Sequence, residues 1–513
     1  MSLLFDRLLQ KTDASLLALV EEDHRWTLAE LREKAIRLAS TLQAKGIQPG
    51  DRVSIMFMNQ KEYLVSFFAV LYAGAVAVPI NITLPSEDII YVVLHSGSKL
   101  MLTTYAFKHC FEGRQLPLLM ANQPAEDQAY PRLEDAIEAG NSDFQPVSFG
   151  DAHSMRILMY TSGTTGKPKG VMLSETNLIS NLEGIHPIFK FTSAERLLIA
   201  LPMFHAYGLI IGLYAMDAQA PIYLVPTFAP KKILQTLIEG KITILPLVPT
   251  MFSMLMQGIQ RVGADKLVHL KACISGGASL PEKLLRQIEA GLDLVVLEGY
   301  GLTETAPVLA VNRPDAGSIA KSVGPALPNV HLKLVDEQGQ PIPWQAGQPS
   351  AEGEILAKGP NVMLGYYNLP DETTQVFDPE GYLRTGDLGH FDANGNLFIS
   401  GGRIKDLIIK AGENIAPIRI EDVLYQHPAV MHAAVIGVPD EKLGEDIVAC
   451  IELKEEAAAT EAELKKFCLA HLPAFMIPAA IRIYPELPKN QTGKVIKKQL
   501  RAENQHLLQK ANS

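Results

Sequence analysis

Cysteine is scarce in this sequence: four residues in 513, at Cys110, Cys273, Cys450 and Cys468. They form no Cys-x-x-Cys pair and show no metal-ligand spacing, which argues against a disulfide framework and a cysteine metal site and leaves reduced, structural thiols. Positive charge is also in deficit. The 46 Lys and Arg stand against 56 Asp and Glu, a net charge of -10, so no broad electrostatic grip on nucleic acid is expected. Anionic small molecules then have to be held by local cationic sites. A secretory leader is missing from "MSLLFDRLLQKTD", where Asp6, Arg7 and Lys11 break the apolar run. An unbroken membrane-length run is missing too. Tyr63 to Ile80 has the length, but Gly74 and Pro79 punctuate it, and it reads as a buried helix followed by the strand "AVAVPI". The apolar stretch from Leu197 to Met216 is broken by "PMFHAYG". A cytoplasmic chain without a transmembrane segment is expected, with peripheral membrane contact left open.

What is present is an enzyme-like composition, 47% hydrophobic and 20% charged. The length is too great for one ordinary core, so two or more domains are expected. Short apolar strands alternate with helical segments: "DRVSIMF", then "NQKEYLVSFFAVLYAG", then "AVAVPI", and again "SEDIIYVVLHSG" before "KLMLTT". Such alternation predicts an α/β fold with largely parallel sheets. A polar, proline-bearing stretch from Gln115 to Ser154 interrupts it, and Leu334 to Gly359 is turn-rich and reads as antiparallel strands. Past Gly402 the pattern becomes a compact α+β piece: the helix "IEDVLYQH", the strands "HAAVIGVP" and "EDIVACIEL", and a helix opened by a Thr460/Glu463 capping box. No tandem repeat is found.

One loop stands out. "YTSGTTGKPKG", Tyr160 to Gly170, gathers hydroxyls, glycines and two lysines behind the apolar "RILMY". A flexible linker explains the Ser, Thr and Gly but not Lys167 and Lys169. It is not the common P-loop, because Gly163 and Gly166 are too close and Pro168 follows Lys167. The physical logic is shared, however. Glycines admit backbone N–H groups to phosphate oxygens, hydroxyls add donors, and lysine supplies charge. The loop points to a polyphosphate.

Three further stretches join it. "EGYGLTET" (Glu298 to Thr305) follows the strand "LDLVVL" and so lies at a carboxyl strand end, where α/β folds bind ligands. "GYLRTGDLGHFDANGNLFISGGRIKDLIIKAGENIAP" (Gly381 to Pro417) places Asp387, Arg403, Lys405 and Gly412 in order, and "PKNQTGK" puts Lys494 after a tight turn. With these four motifs in order and spacing, nearly the whole chain resembles the adenylate-forming enzymes, the superfamily of acyl-CoA synthetases, nonribosomal adenylation domains and firefly luciferase. Two departures are visible: "ISGGR" has one glycine more than the family's usual run, and "PIRIE" has Arg419 where an acid is common.

The resemblance implies a large N-terminal domain, 1–403, of several subdomains with mostly parallel sheets and a β-barrel-like part, carrying the ATP and acyl sites. A small mobile α+β domain, 404–513, would carry the adenylation lysine. It implies that a carboxylate attacks the α-phosphorus of ATP to give an acyl-adenylate and pyrophosphate, and that a thiol then takes the acyl group. A carboxylate of pKa about 4 to 5 is already ionised at pH 7 and needs no general base. The work lies in positioning and charge neutralisation. By resemblance, Thr161, Ser162, Gly163, Thr164, Thr165, Gly166, Lys167 and Lys169 hold the β- and γ-phosphates. Glu304 ligates Mg²⁺, Gly277 and Tyr300 line the adenine slot, and Thr303 reaches the α-phosphate. Asp387 takes the ribose hydroxyls with help from Arg403, and Lys494 bridges the incoming carboxylate and the α-phosphate. Lys405 is the hinge about which the small domain swings, exchanging Lys494 for the Gly412 loop at the site. Taken alone, Glu304 reads equally as a helix-end carboxylate and Asp387 as a turn residue; their context carries the assignment. His205, in "LPMFHAYGL", has two readings, a histidine near the acyl carboxylate as in many acyl-CoA ligases or a hydrogen-bonded core residue. His153, His186 and His432 are read as structural.

His205 stands where amino-acid-selecting members usually have an aspartate, which argues against an amino acid. "FHAYGLIIGL", "PLVPTMFSML" and "ETAPVLAV" offer an apolar acyl lining without an identifiable arginine for a second carboxylate. A medium- or long-chain fatty acid is expected, with coenzyme A as the thiol. A carrier protein's phosphopantetheine arm, luciferase-like oxidation (for which the tail "LLQKANS" lacks a peroxisomal ending) and a catalytically silent nucleotide-binding regulator are the rivals. Lys494→Ala is expected to abolish adenylation, measured as acid-dependent ATP–pyrophosphate exchange, and to spare thioester formation from supplied acyl-adenylate. Lys405→Pro is expected to spare one half-reaction and impair the other in the same two assays; loss of neither counts against the hinge.

Overall fold

The computed structural model describes the chain from Ser2 to Leu507, apart from residues 12, 115, 125, 128, 147–149, 162–166, 404–405, 411–412, 441–442, 456 and 491–492 and the side chains of 401–403 and 413–414. The expected alternation builds two mixed sheets. In the first, five parallel strands run in the spatial order Met155–Thr161, Val76–Pro79, Arg52–Met56, Ser98–Thr104 and Leu118–Ala121. Two antiparallel strands, Lys169–Ser174 and Gly365–Tyr366, extend it beyond Met155–Thr161. The second sheet has eight strands. Its parallel part runs Val295–Gly301, Ala272–Ser275, Ile244–Leu247, Leu197–Ile199, Ile222–Leu224 and Leu17–Glu21, with antiparallel Val308–Val311 and His24–Thr27 at its ends.

The stretch Tyr63 to Ile80 is a buried helix, Lys61–Tyr72, and a buried strand, Val76–Pro79. No helix among the described residues is long and apolar enough to cross a membrane. The apolar segment around Leu197 divides in the same way, into the strand Leu197–Ile199 and the helix Ala206–Asp217. Two features depart from the sequence reading. The polar stretch after Gln115 contains a parallel strand, Leu118–Ala121, too short among its prolines to stand out. The first residues form a helix, Leu3–Leu9, whose Leu4, Phe5, Leu8 and Leu9 are buried.

That helix is fastened by a buried carboxylate. Ser2 Oγ and the Leu4 N–H both donate to Glu175 Oε2, at 2.9 and 2.6 Å, while Arg156 pairs with Glu175 Oε1 at 3.1 Å. Glu175 begins the helix Glu175–Phe189, and Arg156 lies on the strand Met155–Thr161 that leads into the phosphate loop. Burial of an ion is tolerable here because the carboxylate is paired and also accepts neutral donors.

The turn-rich region forms a five-stranded antiparallel sheet ordered Pro341–Ile342, His331–Val335, Gly353–Lys358, Leu383–Phe391 and Leu397–Arg403, the counterpart of the expected barrel-like part. After Arg403 the chain leaves this sheet, and from Ile408 it builds another: Glu413–Ile415, Ile408–Lys410, Gly444–Leu453 and Val430–Asp440, with Ala480–Tyr484 parallel to Gly444–Leu453. The Thr460/Glu463 capping box opens the helix Glu461–His471 as expected.

Candidate active site

The carboxyl ends of the strands in the second sheet, the phosphate-loop side of the first and the small C-terminal sheet face one cleft of about 1550 Å³. Thr161, Lys169, His205, Gly277, Tyr300, Thr303, Glu304, Asp387 and Lys494 all line it. Residues from six separate sequence regions therefore meet in one place. Lys167 is not among the lining residues; its ammonium lies 4.7 Å from the ring centre of Tyr91. Ser162, Gly163, Thr164, Thr165, Gly166, Lys405 and Gly412 fall outside the described residues, as does the side chain of Arg403. The backbone of Arg403 is opposite Asp387 in the antiparallel pairing of their strands.

The wall that carries Thr303 and Glu304 is held from several directions. Strand Val295–Gly301 delivers the chain to a single turn of 3₁₀-helix, Thr303–Thr305. A side chain at Gly301 would place its Cβ 1.9 Å from the Pro307 carbonyl oxygen, so only glycine lets the chain fold back there. Asn361 Nδ2 donates to the Thr305 carbonyl at 2.8 Å and the Met363 N–H to the Glu304 carbonyl at 2.9 Å. Tyr300 crosses to the antiparallel sheet, its hydroxyl donating to Asp387 Oδ2 at 2.7 Å. Asp387 thus has a fixed direction in the cleft.

Lys494 arrives from the small domain. Its N–H donates to Asn490 Oδ1 at 2.9 Å, and the Asn490 N–H donates to the Lys494 carbonyl at 2.8 Å, which closes the expected tight turn. Gly493, at φ +71°, presses so closely on the helix Pro249–Val262 that a Cβ would lie 1.8 Å from Thr250 Oγ1. Lys321 pairs with Asp422 across the same seam at 3.1 Å, and Met431 Sδ accepts from Ser253 and Gln257. In this pose the lysine end of the small domain faces the cleft.

His205 precedes the helix Ala206–Asp217, and its ring lies 4.7 Å from that of Phe204. The imidazole lines the cleft and makes no hydrogen bond to another described residue. Burial pushes its pKa down to about 4, which keeps it neutral at physiological pH. Nearby, two side chains that the sequence reading passed over, Ile185 and Phe189 of helix Glu175–Phe189, join Gly208 and Ile211 on the wall. These two helices contribute no charged side chain to the lining.

Among the described residues no group of three or more His, Cys, Asp or Glu forms a metal cage. Glu304 nevertheless suits a hard cation that arrives with phosphate. One of its oxygens is fixed by the Tyr366 hydroxyl at 2.9 Å and the other has no partner among the described residues.

Glu298 opens the same motif as Glu304. It is buried, accepts the Leu280 N–H at 3.0 Å, and its pKa is raised to about 8, chiefly by burial and further by the nearby Asp422. The folded protein therefore holds this proton more tightly than the unfolded chain, whose glutamate titrates near 4.3. The resulting stabilisation is complete below the unfolded value and is lost as pH rises through about 8. Glu298→Gln keeps the shape and acceptor but does not titrate. Its thermal midpoint is expected to fall less than that of the wild type between pH 6 and 9, and equal falls would mean that Glu298 is ionised throughout.

Comparisons with known proteins agree with this geometry. The family model described as AMP-binding enzyme matches residues 5–367, and that described as AMP-binding enzyme C-terminal domain matches residues 419–494. The chain is 33% identical over 502 residues to a sulfoacetate–CoA ligase of Cupriavidus necator, covering 95% of this chain and 94% of that protein. It is 30% identical over 518 residues to a long-chain-fatty-acid–CoA ligase of Bacillus subtilis, covering 94% and 91%. The crystal structure of ATP-bound MatB from Rhodopseudomonas palustris superposes with a TM-score of 0.90 at 33% identity, covering 98% of this chain and 99% of that one. Against apo MatB the TM-score is 0.77.

Proposed function

Because the chain belongs to the AMP-binding enzyme family and is an acid–thiol ligase that forms acyl-CoA through an acyl-adenylate, we propose that its acid is a medium- or long-chain fatty acid. The observation that carries this reading is the uncharged wall of Ile185, Phe189, Gly208 and Ile211 beside His205. Burying a methylene on such a wall is worth about 0.8 kcal/mol, roughly fourfold in kcat/KM for each added carbon that the wall accommodates. A second carboxylate or a sulfonate would lose its hydration there without finding a cation.

In the proposed reaction a carboxylate oxygen of the acid bonds to the α-phosphorus of ATP as the bond to the pyrophosphate oxygen breaks. The thiol sulfur of coenzyme A then bonds to the acyl carbon, AMP leaves, and the thiol proton goes to solvent. Lys494 meets the two anions of the first step, and Thr303 supports the α-phosphate. Thr161 and Lys169 hold the outer phosphates, with the neighbouring residues 162–166 of the loop. Asp387 and Arg403 take the ribose, and Gly277 and Tyr300 flank the base. Glu304 would hold Mg²⁺, which supplies countercharge to the phosphates when bound. His205, neutral, packs beside the acyl carbon without contributing charge. We place the domain boundary at 403/404, a reading supported by the change of sheet between Arg403 and Ile408.

The test is a mass-spectrometric assay of purified protein with ATP, Mg²⁺, coenzyme A and a mixed pool of fatty, aryl and short-chain acids, sulfoacetate and dicarboxylates included. The expected products are AMP and acyl-CoA from acids of about eight carbons or more, rising with length. Preferred conversion of a dicarboxylate, sulfoacetate or an aryl acid overturns the fatty-acid reading. Acyl-adenylate without acyl-CoA overturns the choice of coenzyme A in favour of a carrier-protein thiol.

A further inference from the structure

We propose that Tyr366 is a positioning residue that keeps the phosphate-binding Lys169 and the metal-binding Glu304 from pairing with each other; the inference rests on the nucleotide reading above. Tyr366 belongs to a two-residue strand, Gly365–Tyr366, that runs antiparallel to Lys169–Ser174 with Tyr366 opposite Val171. Its place is fixed by the backbone around it. The Tyr366 N–H donates to Thr373 Oγ1 at 2.9 Å, the Leu364 N–H to the Met172 carbonyl at 2.9 Å, and the Tyr367 N–H to the Gly170 carbonyl at 2.7 Å. The aromatic ring is thereby set beside Lys169, whose ammonium lies 5.2 Å from the ring centre. From the rim of the same ring, the hydroxyl donates to Glu304 Oε1 at 2.9 Å.

The arrangement matters because Lys169 and Glu304 line one partly dehydrated cleft and carry opposite charges. Left to themselves, an ammonium and a carboxylate in such a place collapse into an ion pair. Each would then be spent on the other and not on a phosphate or a cation. Among the described residues neither group makes an ion pair; each is met by a different part of Tyr366. The ring face is a weak partner for Lys169, readily exchanged for a phosphate oxygen. The neutral hydroxyl gives Glu304 one hydrogen bond, which orients the carboxylate without cancelling its charge. A tyrosine does both, whereas phenylalanine keeps the face and loses the donor, and leucine loses both.

The test measures binding of AMP, and of ATP across a magnesium series, to the full chain by calorimetry. On the nucleotide reading, AMP lacks the outer phosphates that Lys169 and a Glu304-held Mg²⁺ would meet. Tyr366→Phe is expected to leave AMP affinity and the thermal midpoint unchanged. It should weaken ATP binding and raise the half-saturating magnesium concentration, each by about tenfold, the size of one hydrogen bond to a charged group. Tyr366→Leu should weaken ATP binding further. In the Glu304→Gln background, Tyr366→Phe should no longer move the magnesium requirement. Wild-type ATP affinity and magnesium requirement in Tyr366→Phe would overturn the proposal and leave the nucleotide reading intact. Equal losses for AMP and ATP would overturn it too, since they mark a residue that merely shapes the cleft. A wild-type chain that binds neither nucleotide would bring down the nucleotide reading and this inference together.

Discussion

An acid anion can reach the phosphorus of a polyphosphate only where cations neutralise the approach, and a protein that gathers cations near carboxylates must stop them neutralising each other first. Two opposite unit charges 4 Å apart at an effective dielectric of about 20 attract by about 4 kcal/mol, which is enough to collapse an unguarded pair. This cleft places its charges on separate supports. Asp387 is directed by Tyr300 from the neighbouring sheet, Glu304 by Tyr366, and Lys494 is carried in on a turn of the other domain. Tyrosine recurs because it offers both an oriented donor and a polarisable face while remaining uncharged. The parallel sheets serve this purpose by bringing their carboxyl ends to one mouth.

The pose of the small domain belongs to the same economy of charge. Close contact at Gly493 seats Lys494, and among the described residues the seam also holds the half-exposed ion pair of Lys321 and Asp422, a hydrogen bond from Lys283 Nζ to the Gln426 carbonyl and sulfur contacts at Met431. The Lys321 end of that pair is open to solvent, the Asp422 end largely buried. The chain superposes on ATP-bound MatB with a TM-score of 0.90 and on apo MatB with 0.77.

Much of this was legible in the sequence because strand–helix alternation and the four motifs are local signals. "EGYGLTET" reads as a strand end, and the structure continues the strand through Gly301. The turn before Lys494 follows from "PKNQTGK", and the capping box from Thr460 and Glu463. What was missed depends on distant partners. The position of Tyr366 depends on a two-residue strand whose register is set by Met172, Val171 and Thr373, and no periodicity announces so short an element. Ile185 and Phe189 reach the cleft only because their helix packs beside it. The proton on Glu298 is a consequence of burial, which a lone glutamate beside a glycine does not reveal.

The fastening of the first helix sets an order of events in synthesis. Leu3–Leu9 is a seven-residue helix, too short to persist alone in water, and Ser2 lies 173 positions ahead of the Glu175 carboxylate it donates to. At about 5–20 residues per second that partner leaves the ribosome roughly 10–35 s later. Partners for its apolar face come sooner, since Phe5 packs against Phe68 and Tyr72 of the helix Lys61–Tyr72. The apolar face of this helix can therefore dock before its polar fastening exists, and the Glu175 carboxylate locks in place a helix that hydrophobic contact has already gathered.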